Sequence, residues 1–253
     1  MRRILFYLSI ILVFAGCAGK NSAADFTAKE QAKAAKDLVN RVTDGRANEF
    51  DVIVTLEQKD GKDWFAYYAK DGRVVLEGNN GVSVASALGH YLKTWCGWHL
   101  TWCGSQENLP EVLPMPSEKY ECSSPYKYRY YLNYCTFNYS MSWWDFDRWQ
   151  KEIDFMALNG INMPLALTGQ NSVWQRVYRR LGFTDEELES FFSGPAYFNW
   201  FWMGNLDGWG GPLPQSFMDD HEALQKKILS AERTLGMTPV LPAFTGHVPP
   251  TFE

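Results

Sequence analysis

The sequence predicts an α/β chain in two parts, a small module followed by strand and helix units repeated over a parallel sheet. Three observations carry this reading. From about residue 25 to 117, helical apolar spacing surrounds short β-rich runs separated by Asp-Gly pairs. Between Gln106 and Ser124 the chain carries Pro110, Pro114 and Pro116 with little periodicity, the signature of a boundary. From Tyr128 onward, β-rich runs alternate with helical stretches, which implies parallel pairing. The 253 residues are 46% hydrophobic, which excludes a disordered or collagen-like chain. The net charge is −5 with no basic block after residue 3, so nucleic acid is excluded as a partner.

The N-terminal segment reads as an address. Arg2 and Arg3 precede an apolar run from Ile4 to Phe14 broken only by Ser9, and small residues Ala15 and Gly16 lead to Cys17. The run is too short to span a bilayer and has the order of a secretory signal. Its Phe-Ala-Gly-Cys end resembles a bacterial lipobox, with Phe14 in place of the usual Leu, so residues 1–17 are expected to be a signal whose Cys17 becomes the lipidated N-terminus. The plainer reading is a signal peptide cut nearby with Cys17 incidental. Either makes the protein exported, and lipidation makes it a bacterial lipoprotein of the periplasm or cell surface, tethered to the membrane through about Ala24. Cys96, Cys103, Cys122 and Cys135 remain, and four cysteines allow three pairings. Cys96 and Cys103 lack a second Cys or His pair at metal spacing, so zinc is disfavoured; a Cys96–Cys103 bridge and two buried thiols both stay open.

The module from 25 to 117 starts with a helix. Thr27 and Glu30 form a capping box, Ala35, Leu38, Val39 and Val42 share one face, and Gly45 stops it. Three runs, Phe50 to Glu57, Trp64 to Lys70 and Arg73 to Gly78, are separated by Asp60-Gly61 and Asp71-Gly72 and are expected to form an antiparallel meander. A helix over Val82 to Trp95 and a strand over Trp98 to Trp102 follow. The Gly78-Asn79-Asn80-Gly81 turn lacks the Lys-Ser/Thr ending of a phosphate loop and reads as a plain loop. A linker is placed at 118–127.

Beyond it, at 128–253, strands are expected over Tyr128 to Cys135, Asn162 to Leu167 and Thr238 to Phe244. The helix from Trp143 to Leu158 has Ser142 as its cap and puts Phe146, Trp149, Ile153 and Met156 on the sheet side, with Asn159-Gly160 ending it. Helical stretches start at Gln170, at the Thr184–Glu187 capping box, and at Ser216 with Asp219 for a helix running to Gly236. Each strand ends in polar or small residues: Asn133 with Cys135, Thr168-Gly169-Gln170, and Thr245-Gly246-His247. Both a (β/α)₈ barrel and an open parallel sheet build ligand sites at that end. A complete barrel takes about 250 residues and eight strands, whereas three strands fit here, so the expectation is an incomplete barrel. Its uncovered strand edges and apolar helix face should make the isolated chain aggregate or depend on a partner.

Several motifs in order carry a resemblance. They are Tyr-Arg-Tyr-Tyr-Leu-Asn-Tyr-Cys-Thr from Tyr128, Trp-Trp-Asp from Trp143, Glu-Ile-Asp-Phe-Met-Ala-Leu-Asn-Gly-Ile-Asn from Glu152, Trp-Gln-Arg-Val-Tyr from Trp174, Met-Gly-Asn-Leu from Met203, and Gly-Met-Thr-Pro-Val-Leu-Pro-Ala-Phe from Gly236 with Gly-His-Val-Pro after it. With Gly-Val-Ser-Val-Ala-Ser-Ala-Leu at Gly81 and Gly-Ser-Gln at Gly104, the chain resembles family 89 of the glycoside hydrolases, the α-N-acetylglucosaminidases. The resemblance implies a small N-terminal α/β domain, a (β/α)₈ TIM barrel, a C-terminal helical domain, and a retaining exo-hydrolase that removes terminal α-linked N-acetylglucosamine, with no cofactor. It also implies that two glutamates on later barrel strands act as acid/base and nucleophile. Neither position falls in this chain.

Retaining hydrolysis needs two carboxyl groups about 5–5.5 Å apart. Glu152, Asp154, Glu186, Glu187, Glu189, Asp219, Asp220 and Glu222 read as helix caps or solvated faces, and Asp207 in the Trp-rich loop is read as unpaired. No catalytic residue is assigned, and the 253 residues alone are expected to be inactive. By resemblance, Asn133, Cys135, Trp200 and Met203 contact the sugar. The chemistry suits them: an amide donates and accepts with hydroxyls, and an indole or thioether covers ring C–H groups or an acetamido methyl. Tyr139, Gln170 and His247 are secondary candidates, against structural readings as a loop support, a helix start and a strand cap. Trp143, Trp149 and Trp174 are expected in the core, whereas Trp202 and Trp209 sit with Trp200 in a loop where binding and packing are both open. Asn138-Tyr139-Ser140 matches a glycosylation acceptor, which a bacterial lipoprotein would leave unmodified. The competing function is a lipoprotein that binds glycans without cleaving them.

Overall fold

A computed structural model describes residues 26–243 and 246–252; the expected signal and Cys17 lie outside them. Helix α1 (Ala28–Val42) begins at its capping box, with the Glu30 N–H donating to Thr27 Oγ1 at 3.2 Å and the Thr27 N–H to Glu30 Oε2 at 2.8 Å. Ala35, Leu38 and Val39 are fully buried. Strands β1 (Phe50–Val54), β2 (Trp64–Lys70) and β3 (Arg73–Gly78) lie in one four-stranded sheet. β2 and β3 form the expected hairpin, since Asp71 (φ 50°) and Gly72 (φ 75°) both adopt the left-handed conformation that a type I′ turn needs.

The expected meander is not formed. β1 lies on the far side of β3 and parallel to it, with Phe50 opposite Val74 and Val54 opposite Gly78. Val74, Val75 and Leu76 are all buried, so β3 is apolar on both faces and takes the centre of the sheet. Asp60-Gly61 closes only a local bridge from Lys59 to Lys62. Helix α2 (Gly81–Trp95) follows, and the Gly-Asn-Asn-Gly turn is its cap, Asn80 Oδ1 accepting from the Ser83 N–H at 2.8 Å. The expected strand at Trp98–Trp102 shrinks to β4 (His99–Leu100), paired with β5 (Ser105–Gln106) apart from the main sheet. The segment read as linker holds β6 (Tyr120–Ser123), which pairs antiparallel with β2 and completes the order β1-β3-β2-β6. The four cysteines among the described residues are free; Cys103 is exposed and the others half-buried, so neither the bridge nor a fully buried pair of thiols is realised among them.

The strands expected in the second part are realised only in short stretches, a two-stranded parallel sheet extended by one isolated parallel bridge from Leu165 to Val240. β7 (Tyr130–Tyr131) pairs with β8 (Met163–Pro164), and β8 pairs with the segment Thr238–Val240 through Val240 N–H to Pro164 O and Ala166 N–H to Val240 O, at 2.8 and 2.9 Å. Helix α3 (Phe146–Leu158) buries Trp149, Ile153 and Met156. Its cap is Asp145, whose Oδ1 accepts from the Arg148 N–H at 2.9 Å. The expected cap Ser142 instead donates to Phe137 O at 3.1 Å, closing the preceding turn. Then come α4 (Gln170–Arg180), α5 (Asp185–Phe191) with the expected Thr184–Glu187 box, α6 (Phe198–Trp202) and α7 (Gln215–Thr234). The box expected at Ser216 is absent, because the cap position falls two residues earlier, at Pro214, and Ser216 lies inside the first turn of α7.

The two parts share one core. A Cβ at Gly89 would lie 2.5 Å from Leu158 O and one at Gly81 would lie 2.7 Å from Leu235 O, so glycine allows α2 to meet the second part backbone to backbone. Arg129 pairs with Asp63 at 2.7 Å, and Arg41 holds both oxygens of Asp154 at 2.8 Å. Burial tends to raise the Asp63 carboxyl, but hydrogen bonds from Arg129, Asn79 and Gln58 prevail and hold it below its ordinary value. Asp154 is more deeply buried, and there burial prevails over Arg41. Among the described residues no helix is long and apolar enough to cross a membrane.

Candidate functional site

The sugar-facing candidates come from two segments that follow β7 and β8 in the chain. After β7 the chain leaves the sheet at Leu132, whose φ is 84°, and enters a helical turn, Tyr134–Thr136, continued by a π-turn, Phe137–Met141. Asn133 caps this turn, its Oδ1 accepting from the Thr136 N–H at 3.1 Å and the Thr136 hydroxyl at 3.0 Å, and is itself exposed. Cys135 is half-buried and Tyr139 is 75% exposed. The second segment is α6. Its Trp200 ring meets Tyr139 edge-on at a centroid distance of 6.0 Å. Met203, half-buried, caps the end of α6 through its N–H to Asn199 O at 3.3 Å.

Two asparagines join these segments. The Asn199 N–H donates to Asn138 Oδ1 at 2.8 Å, and Asn199 Nδ2 donates to Tyr134 O at 2.6 Å. Asn133, Cys135, Tyr139, Trp200 and Met203 thus lie on two backbone segments hydrogen-bonded directly to each other. Sequence reasoning missed Asn199 altogether and met Asn138 only as a glycosylation match; neither spacing nor periodicity marks a contact between residues 61 apart.

His247 sits elsewhere, ringed by Trp174, Phe191 and Phe201 at centroid distances of 5.8, 4.9 and 4.9 Å. Its Nε2 lies 2.8 Å from Asp207 Oδ1. Asp207 is therefore paired, contrary to the sequence reading, and ties the Trp-rich loop to the segment that follows the Val240 bridge. Tyr178 donates its hydroxyl to His247 O, and burial, with the Asp207 charge adding, pushes the phenol up to about 12. Gln170 is buried at the start of α4 and lines an apolar cavity of about 200 Å³ with Trp174, Tyr178 and Pro242. Neither Gln170 nor His247 makes a hydrogen bond or ring contact with the Asn133–Trp200 group.

The aromatic expectations divide. Trp149 and Trp174 are in the core, but Trp143 is 71% exposed, its ring edge-on to Phe217. It precedes α3 instead of lying on its inner face. Trp202 is buried in the core and Trp209 is exposed against Tyr197. Among the acids, Glu152 is buried and accepts from Tyr131 and Trp102 at 3.1 Å each, with Arg148 alongside. No group of three His, Cys, Asp or Glu suited to a metal occurs among the described residues.

This arrangement matches known families. A family model described as the alpha-N-acetylglucosaminidase (NAGLU) tim-barrel domain matches residues 129–253, and one described as the alpha-N-acetylglucosaminidase (NAGLU) N-terminal domain matches residues 33–115. The chain belongs to the α-N-acetylglucosaminidase family. Alpha-N-acetylglucosaminidase of Homo sapiens is 48% identical over 244 residues, covering 94% of this chain and 32% of that protein. A family 89 glycoside hydrolase from Clostridium perfringens, solved with 2-acetamido-1,2-dideoxynojirmycin, superposes with a TM-score of 0.85 at 38% identity, over 89% of this chain and 26% of its own. A substituted form of the enzyme from the same organism, solved with its substrate GlcNAc-alpha-1,4-galactose, gives 0.82 over 87% of this chain and 25% of its own. The chain of this α-N-acetylglucosaminidase family member therefore spans about a third of the curated relative and about a quarter of the solved chains. Residues 1–18 match a model for a prokaryotic membrane lipoprotein lipid attachment site.

Proposed function

We propose that this chain supplies one wall of the N-acetylglucosamine pocket of an α-N-acetylglucosaminidase, which releases terminal α-linked N-acetylglucosamine from glycans outside the cytoplasm with retention. The observation that carries the reading is the direct bonding of the Asn133–Tyr139 turn to the Trp200 helix, which brings together the two segments that carry Asn133, Cys135, Tyr139, Trp200 and Met203 and sets the Tyr139 and Trp200 rings edge to face. Such a wall binds by shape and a few polar anchors. The reaction needs an acid/base and a nucleophilic carboxyl about 5–5.5 Å apart, and we assign neither role to a residue of this chain. Support comes from the ligands of the two Clostridium perfringens structures, an N-acetylated iminosugar and a GlcNAc-terminated disaccharide.

Calorimetric titration of the chain with N-acetylglucosamine tests this, alongside an assay on a chromogenic α-N-acetylglucosaminide. Binding without turnover is expected. Turnover that depends on a carboxylate of this chain would overturn the division of roles, and a folded parent that binds no sugar would overturn the wall. The lipid-attachment match further supports Cys17 as the acylated N-terminus, holding the protein on the periplasmic or outer face of a membrane. Labelling with a palmitate analogue should mark the parent and spare Cys17→Ala; equal labelling of both refutes the anchor.

A further inference from the structure

We infer that Asn138 and Asn199 are a positioning pair that locks the two halves of the sugar wall at one separation, an assignment that rests on the sugar-binding reading above. Each of their contacts is made beside a wall residue. Tyr134, whose carbonyl accepts from Asn199 Nδ2, lies between Asn133 and Cys135; Asn138 precedes Tyr139; Asn199 precedes Trp200. One contact engages the Asn199 N–H and the other the Tyr134 carbonyl, so main-chain groups on both segments are fixed as well as side chains. The edge contact of Tyr139 with Trp200 then has a defined geometry before any ligand arrives, and such preorganisation raises affinity by removing ordering cost at the moment of binding.

The pair is a poor choice for packing alone. Asn199 is fully buried, yet its Oδ1 has no hydrogen-bond partner, and neither has the buried Nδ2 of Asn138. An apolar residue would fill the space without leaving those groups unmet. The amide orientations are dictated by the two bonds that are made, oxygen towards the N–H and nitrogen towards the carbonyl, which leaves the other atom of each amide idle. Asn138 also stands in a π-turn, an insertion that re-aims side chains and is frequent where geometry serves a site.

The test uses the whole 253-residue chain with Asn138→Ala and Asn138→Asp, the latter keeping an acceptor for the Asn199 N–H. Affinity for N-acetylglucosamine is read by calorimetry, and hydrogen exchange is followed in peptides covering 134–141 and 198–203. Asn138→Ala is expected to weaken binding about tenfold, the equivalent of one neutral hydrogen bond, and to speed exchange in both peptides together. Asn138→Asp is expected to restore affinity to within about twofold of the parent and to restore protection. A lowered melting temperature with unchanged affinity, or faster exchange in one segment alone, overturns the assignment. Failure of the parent itself to bind identifies the sugar reading as the error and removes this assignment with it.

Discussion

Glu232 is fully buried on α7, and neither of its carboxylate oxygens has a hydrogen-bond partner. Burial pushes its carboxyl well above the ordinary 4.5, with the Arg233 charge opposing. The sign follows: the group is kept neutral in the folded chain but ionises in the unfolded one, so its contribution to stability is full below about pH 4.5 and falls as pH rises towards the raised folded value. Glu232→Gln should therefore be the more stable protein at pH 7 in urea denaturation, with the advantage gone near pH 4. An advantage that persists at pH 4 would mean that ionisation is not its source. On the proposed sugar-binding reading, Trp200→Ala removes the Tyr139 contact and an apolar surface for the sugar. Affinity for N-acetylglucosamine should fall by about tenfold or more while the melting temperature moves little.

Among the elements, α3 shows how a cap is chosen. Ser142 and Asp145 are both competent caps, but the π-turn consumes the Ser142 hydroxyl, and the extended conformation that a cap requires is reached only at Asp145, with φ −79° and ψ −179°. Asp145→Ala should cost about 1 kcal/mol in thermal or urea unfolding, and Asp145→Asn should recover most of it. Helix α4 shows the converse, an apolar stripe left partly exposed. Val173, Val177 and Leu181 follow at spacings of four residues and are 44%, 41% and 53% exposed, which matches the expectation of an uncovered apolar helix face. Val177→Lys should shift the sedimentation profile of the chain towards monomer; an unchanged distribution would show that this face does not drive association.

For the molecule as a whole, the α2–α3 contact and the Arg41–Asp154 and Arg129–Asp63 pairs make the two parts one packing unit. Gly89→Ala puts a methyl 2.5 Å from the Leu158 carbonyl, and neither backbone can yield without moving its helix. A loss of about 1–3 kcal/mol or more is expected, lowering a single transition seen alike by far- and near-ultraviolet circular dichroism. Two separate transitions, with only one of them shifted, would show that the parts fold independently.

What the sequence alone determined about this family member lies within a few residues of chain. The Thr27–Glu30 and Thr184–Glu187 boxes, the Asp71-Gly72 hairpin and the α3 face through Trp149, Ile153 and Met156 were legible because their partners are three or four residues away, where covalent geometry sets the contact. The motifs carried the family, and with it the barrel that position alone left open. The tertiary structure alone decided which strands are neighbours, putting β1 parallel beside β3 and drawing β6 out of an apparent linker, because β3, apolar on both faces, takes the sheet centre and leaves the partly exposed β1 and β6 to its edges. It alone paired Asp207 with His247 and Asn199 with Asn138. Those contacts span 40 and 61 positions, and chain direction, not local preference, brings such residues together.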